Sequence, residues 1–410
     1  MADEKGTRAK LKELFEGMMK VLYKQEGATF QISILEEPQV QNFIEGHTDT
    51  LNSAIEQVPL SDTMRRSLEK SNYMFSGMKT FHELHEAFPK LIDENGEKKS
   101  FNRFLNDVQK IDKTYNENYL RAEYNFAHAS ASMAERWESF DDGDNYLLQY
   151  RTASDGKVRE EHAQMHGITL PKSDSFWDTF FPPNGWNCRC TAVEVRKEKY
   201  QQTPHGEAIR RAEQAMTHDK RGMFNFNPGK ERKTFPDYNP YTIKNCRNCT
   251  KNKSNLAYVP QNELCQACEL LQKCWKEKVR TESNRERLHY MHEMEPLLKK
   301  KVAVNGNGHS MSVGFSKYGN KHLYSDIYGR SKVLQKNDLK DVDKLLANAK
   351  FIKKVGLSKY RNDDIKRFYY YEVQLHGRTV YLNVAETDIY TNKKGLSHNR
   401  FLYSVTDSIK

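Results

Sequence analysis

The sequence has no long apolar run. No stretch of about 18 apolar residues occurs in the 410-residue chain, so we expect no segment that spans a membrane. The first ten residues, MADEKGTRAK, lack an apolar core and a cleavage site, so we expect no signal peptide. A hydrophobic content of 37% is low for a compact enzyme. Wholesale disorder is nevertheless excluded, because 22 tyrosines and 20 phenylalanines supply apolar surface for folding.

The first three quarters of the chain have no net charge. Residues 1–300 hold 45 basic and 45 acidic residues, whereas residues 301–410 hold 20 basic and 10 acidic residues. The whole net charge of +10 therefore lies in the last quarter. Such a concentration indicates contact with a polyanion, most often nucleic acid. A basic surface that only keeps the protein soluble is the alternative.

Cysteine is absent outside a short central region. All seven cysteines lie between residues 188 and 274, which in a reducing compartment favours metal binding over disulfides. Four of them form two CxxC pairs, Cys246 with Cys249 and Cys265 with Cys268. Four thiolates at this separation are typical of a structural, tetrahedral zinc site. We therefore predict a zinc module here. A redox pair is the rival interpretation.

Proline and glycine are absent from residues 100–137, where apolar residues recur at steps of three and four. This pattern predicts one long amphipathic helix. Shorter helices are predicted at about 8–24 and 62–87, and nothing in this region points to catalysis.

A second candidate metal site lies between residues 155 and 190. Cys188 and Cys190 are two positions apart, so their side chains share a face if the segment is extended. With His162 they would supply three ligands suited to Zn²⁺, and Asp155 or His166 could complete four. The alternative is that both cysteines are buried free thiols and that His162 hydrogen-bonds the loop.

Two linked motifs in this segment carry a family resemblance. The first is Asp155-x-x-Val158-Arg159-x-x-His162, and the second is FWDTFFPPNGWNCRC at residues 176–190. Together they resemble the head-morphogenesis domain of phage Mu F-like minor head proteins, over roughly residues 50–197. The resemblance implies a protein present in few copies near the portal, needed for head assembly or for DNA packaging and ejection. It implies portal and capsid proteins as partners, and a location in the virion head and, during assembly, in the host cytoplasm.

The C-terminal quarter has the pattern of a small α+β domain. Residues 368–375 and 379–384 are two β-rich runs around a short glycine-containing turn, so we predict a hairpin. Residues 400–407 are a further strand candidate. Residues 338–355 have helical spacing, with Asp338 as a candidate N-cap.

This basic domain resembles the nuclease domains of the barnase–EndoU–colicin–RelE group that are appended to phage head proteins. The resemblance implies cleavage of RNA without a metal or other cofactor. Side chains on a concave sheet would then deprotonate a 2′-hydroxyl and stabilise the phosphate. Our candidate catalytic residues are His309, Lys321, His322, Arg361 and Thr406. Further candidates are His376, His398, Lys317, Ser404 and Asn383.

Two other interpretations of the C-terminal domain stay open. It could be purely structural and bind packaged DNA through its charge, in which case binding would fall steeply with salt. It could also be an ADP-ribosyltransferase, but the sequence lacks a convincing Arg, Ser-Thr-Ser and Glu-x-Glu series.

The sequence therefore predicts a multidomain α+β protein. Its predicted parts are a helical N-terminal region (1–145), a head-morphogenesis motif region (146–200), a linker (201–242), a four-cysteine zinc module with a charged helix (243–300), and a basic, nuclease-like α+β domain with an antiparallel sheet (301–410).

Overall fold

The protein forms two compact units, Met1–Glu277 and Lys278–Lys410. The computed structural model describes residues 4–141, 143–153, 155–242, 261–306, 308–329, 331, 333–356, 365–387 and 399–409. Among these residues, no helix is both long enough and apolar enough to cross a membrane.

Five long helices form most of the first unit. They are α1 (Glu4–Lys24), α2 (Pro38–Ser53), α3 (Asp62–Ala87), α4 (Phe101–Asp112) and α5 (Leu120–Ser139). Their apolar faces meet in one core that includes Phe15, Phe43 and Phe126. The start of α3 is fixed by Ser61, whose hydroxyl accepts a hydrogen bond from the backbone nitrogen of Met64. Short 3-10 helices follow at Ile32–Glu36 and Phe88–Leu91.

A buried lysine joins these helices. Lys79 of α3 is 1% exposed, and its ammonium donates to the Glu123 carboxylate of α5 at 2.6 Å. The same ammonium donates to the carbonyl of Tyr115 at 2.7 Å and to the ring of His47 on α2 at 3.0 Å. The other oxygen of Glu123 accepts from the hydroxyl of Tyr241 at 3.1 Å. Four separate parts of the chain are thus held by one cation and one anion.

The charges in this cluster differ from group to group. Burial opposes ionisation of Glu123, but the adjacent Lys79 outweighs it and lowers the pKa of that carboxyl to about 2. Burial, assisted by Lys79, lowers the pKa of His47 to about 4, so its neutral ring can accept from the lysine. Burial raises the pKa of Glu83 to about 8, although the Asn116 amide donates to its carboxylate at 3.0 Å.

The helix predicted over residues 100–137 is present with one interruption. A π-helical turn at Lys113–Asn118 separates α4 from α5. Within this wider turn the carbonyl of Tyr115 accepts a hydrogen bond from the Lys79 ammonium. A π-helical turn contains one residue more than an α-helical turn, so the apolar stripe is rotated after it. Tyr119 directly after this turn is 47% exposed. The predicted helix is therefore present in extent, but a π-helical turn interrupts its regular α-helical hydrogen bonding.

A small antiparallel sheet follows the helices, with strand order β2-β1-β3. Its strands are β1 (Tyr146–Arg151), β2 (Thr169–Leu170) and β3 (Thr191–Arg196), and the short helices around them are α6 (Glu160–Ala163), α7 (Phe176–Thr179), α8 (His205–Ala215) and α9 (Pro228–Glu231). Arg151 at the end of β1 pairs with Thr191 at the start of β3. The segment that enters β3 therefore lies beside the segment that leaves β1.

The stretch expected to be a linker, residues 201–242, packs into the first unit. Phe226 and Phe235 are 1% and 3% exposed, and the Phe235 ring stacks on Phe75 of α3 with ring centres 3.7 Å apart. Gly229 lies so close to Trp137 that a Cβ atom would be 2.2 Å from it. The linker assignment is corrected here. Its proline and asparagine residues correctly indicate an irregular backbone. Its aromatic residues are the ones that pack into the core.

Helix α10 (Gln261–Glu293) contains one of the two predicted CxxC pairs. Cys265 and Cys268 are partly buried in its first turns and pack against the core of the first unit. Both residues are helical. Cys246 and Cys249 lie outside the described residues, so the four-cysteine zinc module stays a prediction.

The second unit is a six-stranded sheet that packs against helices. The strands are β4 (Lys301–Gly306), β5 (His309–Gly314), β6 (Lys350–Gly356), β7 (Ile365–Leu375), β8 (Arg378–Thr387) and β9 (Arg400–Thr406), in the order β4-β5-β9-β8-β7-β6. The helices are α11 (Lys317–Gly329), α12 (Val342–Ala347) and 3-10 helices at Glu295–Lys299 and Lys336–Asp341. Only the β5–β9 pair is parallel among these strands. The core joins Tyr371 and Leu382 of the sheet to Leu323 and Leu346 of the helices.

The predicted hairpin is confirmed as β7 and β8. Leu375 pairs with Arg378 across a two-residue turn. His376 and Gly377 in this turn have positive φ angles of 50° and 74°, the backbone that such tight hairpin turns require. The predicted strand near residues 400–407 is confirmed as β9.

The predicted helix at residues 338–355 is correct only in part. Helical structure ends at Ala347, and Lys350–Gly356 is the edge strand β6. Phe351 of this strand packs on Tyr371 of β7 with ring centres 5.6 Å apart, so tertiary pairing overrides the helical spacing. Asp338 is not the N-cap. It accepts from the backbone nitrogen of Gln335, which is the N-cap of the preceding 3-10 helix.

Replacing Glu123 should destabilise the first unit. In the Glu123→Gln variant, Lys79 would remain buried without a compensating anion, which should lower the free energy of unfolding by about 3–5 kcal/mol. Chemical denaturation of the full chain would measure the change. Glu135→Gln on the same helix is the matched control, because the described residues give Glu135 no ion pair. Equal stability of the two variants would contradict a structural role for the pair.

Candidate metal centre

The candidate site lies where two loops meet beside the small sheet. One loop leaves β1 and places His162 on the one-turn helix α6. The other loop carries Cys188 and Cys190 and continues directly into β3. Because β1 and β3 are paired, the two loops are brought together by the sheet register.

The three side chains converge on one point. The Nδ1 atom of His162 lies 3.7 Å from the Sγ atom of Cys188 and 3.7 Å from that of Cys190. The three ligand atoms all lie within 4.8 Å of one another, and all three residues are buried. The predicted convergence of these residues is therefore present in the structure.

This geometry fits a tetrahedral metal ion. With Zn–S near 2.3 Å and Zn–N near 2.0 Å, sulfur and nitrogen ligands of one zinc lie roughly 3.5 Å apart. The observed distances from Nδ1 of His162 to the sulfurs, 3.7 Å each, are close to that value. Two thiolates and an imidazole also suit zinc better than a hard cation such as Mg²⁺.

The two thiols differ in acidity. The hydrogen bond from Cys190, with help from His162, lowers the pKa of Cys188 well below its usual value despite burial. The same hydrogen bond, together with burial, raises the pKa of Cys190. Both sulfurs bind a metal as thiolates, so binding of a metal would release the thiol protons that remain.

The loop that carries the cysteines is fixed by polar contacts. The hydroxyl of Tyr150 on β1 donates to the side-chain oxygen of Asn184 at 2.9 Å. Arg159 donates to the carbonyl of Trp186 at 2.7 Å. These contacts hold both ends of the turn that precedes Cys188, which preorganises the sulfurs.

The two residues that we expected to complete the ligand set are engaged elsewhere. Both carboxylate oxygens of Asp155 accept from Arg189 at 2.6 Å, and this ion pair lowers the pKa of Asp155 to about 2. The Nδ1 atom of His166 lies 2.9 Å from the hydroxyl of Thr152. Neither residue belongs to the cluster of buried ligand atoms.

A cleft beside the cysteines gives access to the site. It has a volume of about 580 Å³ and is walled by α5 on one side and by the segment from Asn187 to Thr191 on the other. His128 and Arg136 of α5 line it together with both cysteines. A metal ion could enter by this route.

Comparison with known proteins identifies this region of the chain. Residues 90–193 match the family described as Phage Mu protein F like protein. This match, together with the two curated relatives described below, supports a relationship of this region to the phage Mu F-like family. The Mu F-like segment contains α4, α5, both loops of the site and the first half of β3.

Two curated relatives are similar to parts of this chain. The putative capsid assembly protein F of Escherichia phage Mu is 52% identical over 42 residues, which is 10% of each chain. The Mu-like prophage FluMu F protein of Haemophilus influenzae is 28% identical over 137 residues, which is 33% of this chain and 32% of that protein. The chain thus aligns with about a third or less of the length of these relatives. No solved structure matches the chain significantly.

The candidate catalytic residues of the second unit do not all converge. Lys321 is exposed on α11, and the hydroxyl of Thr406 donates to the carbonyl of Ser408 at 2.9 Å. His322 packs on Tyr403 with ring centres 4.2 Å apart. Arg361 and His398 lie outside the described residues, as does the side chain of His309.

The sheet of the second unit instead places four polar residues in one row. Lys353 pairs with Tyr370, Tyr370 with Asn383, and Asn383 with Ser404, across strands β6, β7, β8 and β9. Paired residues point to the same face. Because neighbours alternate, this face is opposite to the one on which Tyr371 packs against the helices. We did not predict Lys353, because we interpreted its segment as helical.

Removing the two site cysteines should remove one metal ion. We expect the Cys188→Ser, Cys190→Ser double variant, purified from zinc-containing medium, to carry one equivalent of zinc less than the wild type. Inductively coupled plasma mass spectrometry of the full chain would measure this. Cys274→Ser is the matched control, since Cys274 lies outside both ligand sets. Equal zinc content in the double variant and the wild type would contradict a metal centre here.

Proposed function

We propose that this chain is a minor head protein of a tailed phage or prophage that takes part in head morphogenesis and in DNA packaging or ejection. The match of residues 90–193 to the Mu F-like family carries the proposal. The name of the phage Mu relative, a putative capsid assembly protein, supports capsid and portal proteins as partners. The described residues contain no helix that could cross a membrane, and a role in a particle requires none.

Within this function we assign a structural role to the metal centre. His162 lies on the loop that follows β1, and Cys188 and Cys190 lie on the loop that enters β3. A zinc ion bound to all three would tie these loops together and supply folding free energy. The fixed loop surface, beside the cleft along α5, would then be available to contact another head protein.

Incorporation into heads tests this function. We expect the protein to sediment with proheads or finished heads when it is produced with the other head proteins of its phage. The Cys188→Ser, Cys190→Ser variant should be depleted from those fractions, because its two loops would lose the metal that joins them. Immunoblots across a density gradient would measure this, with Cys274→Ser as control. A wild-type protein found only in the soluble fractions would argue against a head function.

We further propose that the basic second unit cleaves RNA without a metal. Its excess of positive charge, with 20 basic and 10 acidic residues after position 300, supports a nucleic acid ligand. In such a reaction a base takes the proton of a 2′-hydroxyl and the oxygen attacks the adjacent phosphorus. The 5′-oxygen leaves with a proton from an acid, which yields a cyclic phosphate and a free 5′-hydroxyl. Carried on a head protein, this activity would act as a toxin or effector.

The polar row on the sheet supports this second proposal. The amide of Asn383 donates to the Ser404 hydroxyl at 2.8 Å, while its carbonyl oxygen is buried and has no partner among the described residues. Such an unsatisfied group costs stability and is therefore typical of a site kept for function. At one end of the row, Lys353 lies over the Tyr370 ring, 5.6 Å from its centre, where it could contact a phosphate.

A β-bulge brings a histidine to the other end of the row. Asn383 pairs with Ser404 but Val384 pairs with Leu402, so Tyr403 is the extra residue of β9. Bulges of this kind often redirect side chains next to active sites. Because His322 packs on Tyr403, it is the histidine best placed to exchange a proton at this row.

Two neighbouring lysines on β6 provide a sharp test. We expect Lys353→Ala to lower the rate of RNA cleavage by the full chain about 10²-fold, as for loss of a group that stabilises the transition state. Lys354→Ala is the control, because Lys354 lies on the other face over Tyr369. His322→Ala should also abolish cleavage. The assay would use defined RNA without added divalent metal and would detect the cyclic phosphate.

The same assay separates the two functions considered for this unit. Salt-sensitive binding of RNA and DNA alike, without cleavage by the wild type, would contradict the nuclease and favour a structural tail that binds packaged DNA. Cleavage that is equally weak in the Lys353→Ala and Lys354→Ala variants would place the active site elsewhere in the unit.

A further inference from the structure

A second histidine lies beside the buried ligand cluster. The ring centre of His218 is 5.3 Å from that of His162, and the two ring planes are inclined by 50°. His218 follows the end of α8 and its ring is exposed. No sequence motif connects His218 with residues 155–190, because the two segments are separated in the chain.

The position of His218 is held by contacts of α8. Arg211 on this helix donates to the carbonyl of Gln164 and to the carbonyl of His166, at 2.9 Å in each case. These carbonyls belong to the turn that directly follows His162. The end of α8, and with it His218, is therefore fixed against the helix that carries the buried imidazole.

The separation of the two rings fits a shared zinc ion. A ring centre lies roughly 3 Å from a zinc bound through one nitrogen at 2.0–2.1 Å. Two such rings at the tetrahedral angle have centres roughly 5 Å apart. The observed distance of 5.3 Å between His162 and His218 is close to this value.

The orientation of the His218 ring also suits a metal ligand. Its Nδ1 atom lies 3.1 Å from the carbonyl of Ala215, to which it can donate. Histidine ligands of metals commonly donate their other ring N–H to a backbone carbonyl in this way, which leaves Nε2 free to bind the ion. The His218 nitrogens lie outside the cluster of ligand atoms within 4.8 Å, so the ring would move toward the sulfurs when a metal binds.

The buried imidazole provides an independent observation. The Nε2 atom of His162 is buried and has no hydrogen-bond partner among the described residues. Its Nδ1 atom faces only the two sulfurs. A buried ring with an unpaired nitrogen costs free energy, and a metal bond to this imidazole would stabilise the buried ring even though Nε2 stays unpaired.

We propose that His218 is the fourth protein ligand of a structural zinc ion held by His162, Cys188 and Cys190. This inference rests on the metal centre proposed above and completes it. Structural zinc sites take four protein ligands, whereas catalytic sites leave one position to water. With His218 bound, the site is closed and has no position for a substrate.

Zinc affinity of the full chain is the first measurement. Even partners outside the ligand shell change metal affinity by about 10–100-fold, so His218→Ala should weaken zinc binding at this site by at least about tenfold. Competition with a chromophoric chelator would measure the affinity. His166→Ala is the matched control, since this exposed histidine lies near the site but bonds to Thr152. It should bind zinc as the wild type does.

Cobalt substitution tests direct contact with the ion. Difference spectra of Co²⁺-loaded protein, taken against the Cys188→Ser, Cys190→Ser variant, isolate the signal of this site. The wild type should show the intense visible bands of tetrahedral Co²⁺, and His218→Ala should lose part of this intensity. His218→Cys should regain it and add sulfur-to-metal charge transfer, which a residue with only a structural role would not do.

The outcomes separate this inference from the metal centre itself. A wild-type difference spectrum without tetrahedral bands would show that His162 and the two cysteines hold no metal, and both proposals would fall. Tetrahedral bands that are unchanged in His218→Ala would leave the metal centre standing and overturn the fourth ligand. Loss of affinity in His166→Ala instead would assign the fourth position to that residue.

Discussion

The architecture of the first unit depends on the buried ion pair between Lys79 and Glu123. A lysine side chain that is 1% exposed can stay charged only if anions and carbonyls replace its water, and here they come from separate parts of the chain. The pair also accounts for two contacts of irregular backbone: Lys79 bonds the Tyr115 carbonyl in the π-helical turn, and Glu123 accepts from the hydroxyl of the buried Tyr241. The irregular stretch that contains Tyr241 continues the packing around α5, the helix that lines the cleft beside the two cysteines.

The three residues that meet at the cysteine loop could be predicted from the sequence, but the residue that would complete the set of metal ligands could not. Two cysteines at alternate positions before a strand, with His162 upstream, suffice to suggest a shared site, and the structure places their ligand atoms within 4.8 Å. The roles of Asp155 and His166 could not be predicted, because a carboxylate and an imidazole look the same in sequence whether they bind metal or pair with a neighbour. The proximity of His218 follows from how α8 packs, which no local pattern reports.

In the second unit, the hairpin was predictable because a short turn fixes the register of its own strands. The register between β8 and β9 was not predictable, since a long segment joins them and β9 contains a bulge. For that reason Asn383 and Ser404 were recognisable only as separate strand residues, and their alignment with Lys353 was not visible. The edge strand β6 was hidden for another reason. Its lysines and apolar residues also satisfy helical spacing, and only pairing with β7 decides between the two structures.

The buried carboxyl group of Glu83 makes the stability of the first unit depend on pH. Its pKa is about 8 in the folded protein because of burial, against a usual value of 4.5, so at neutral pH the folded chain holds a proton there that the unfolded chain has released. The contribution of this group to stability is complete below pH 4.5 and is lost as the pH rises through about 8. Folding of this unit in neutral solution is therefore accompanied by proton uptake at Glu83, and the heat that it exchanges includes the ionisation heat of the surrounding buffer.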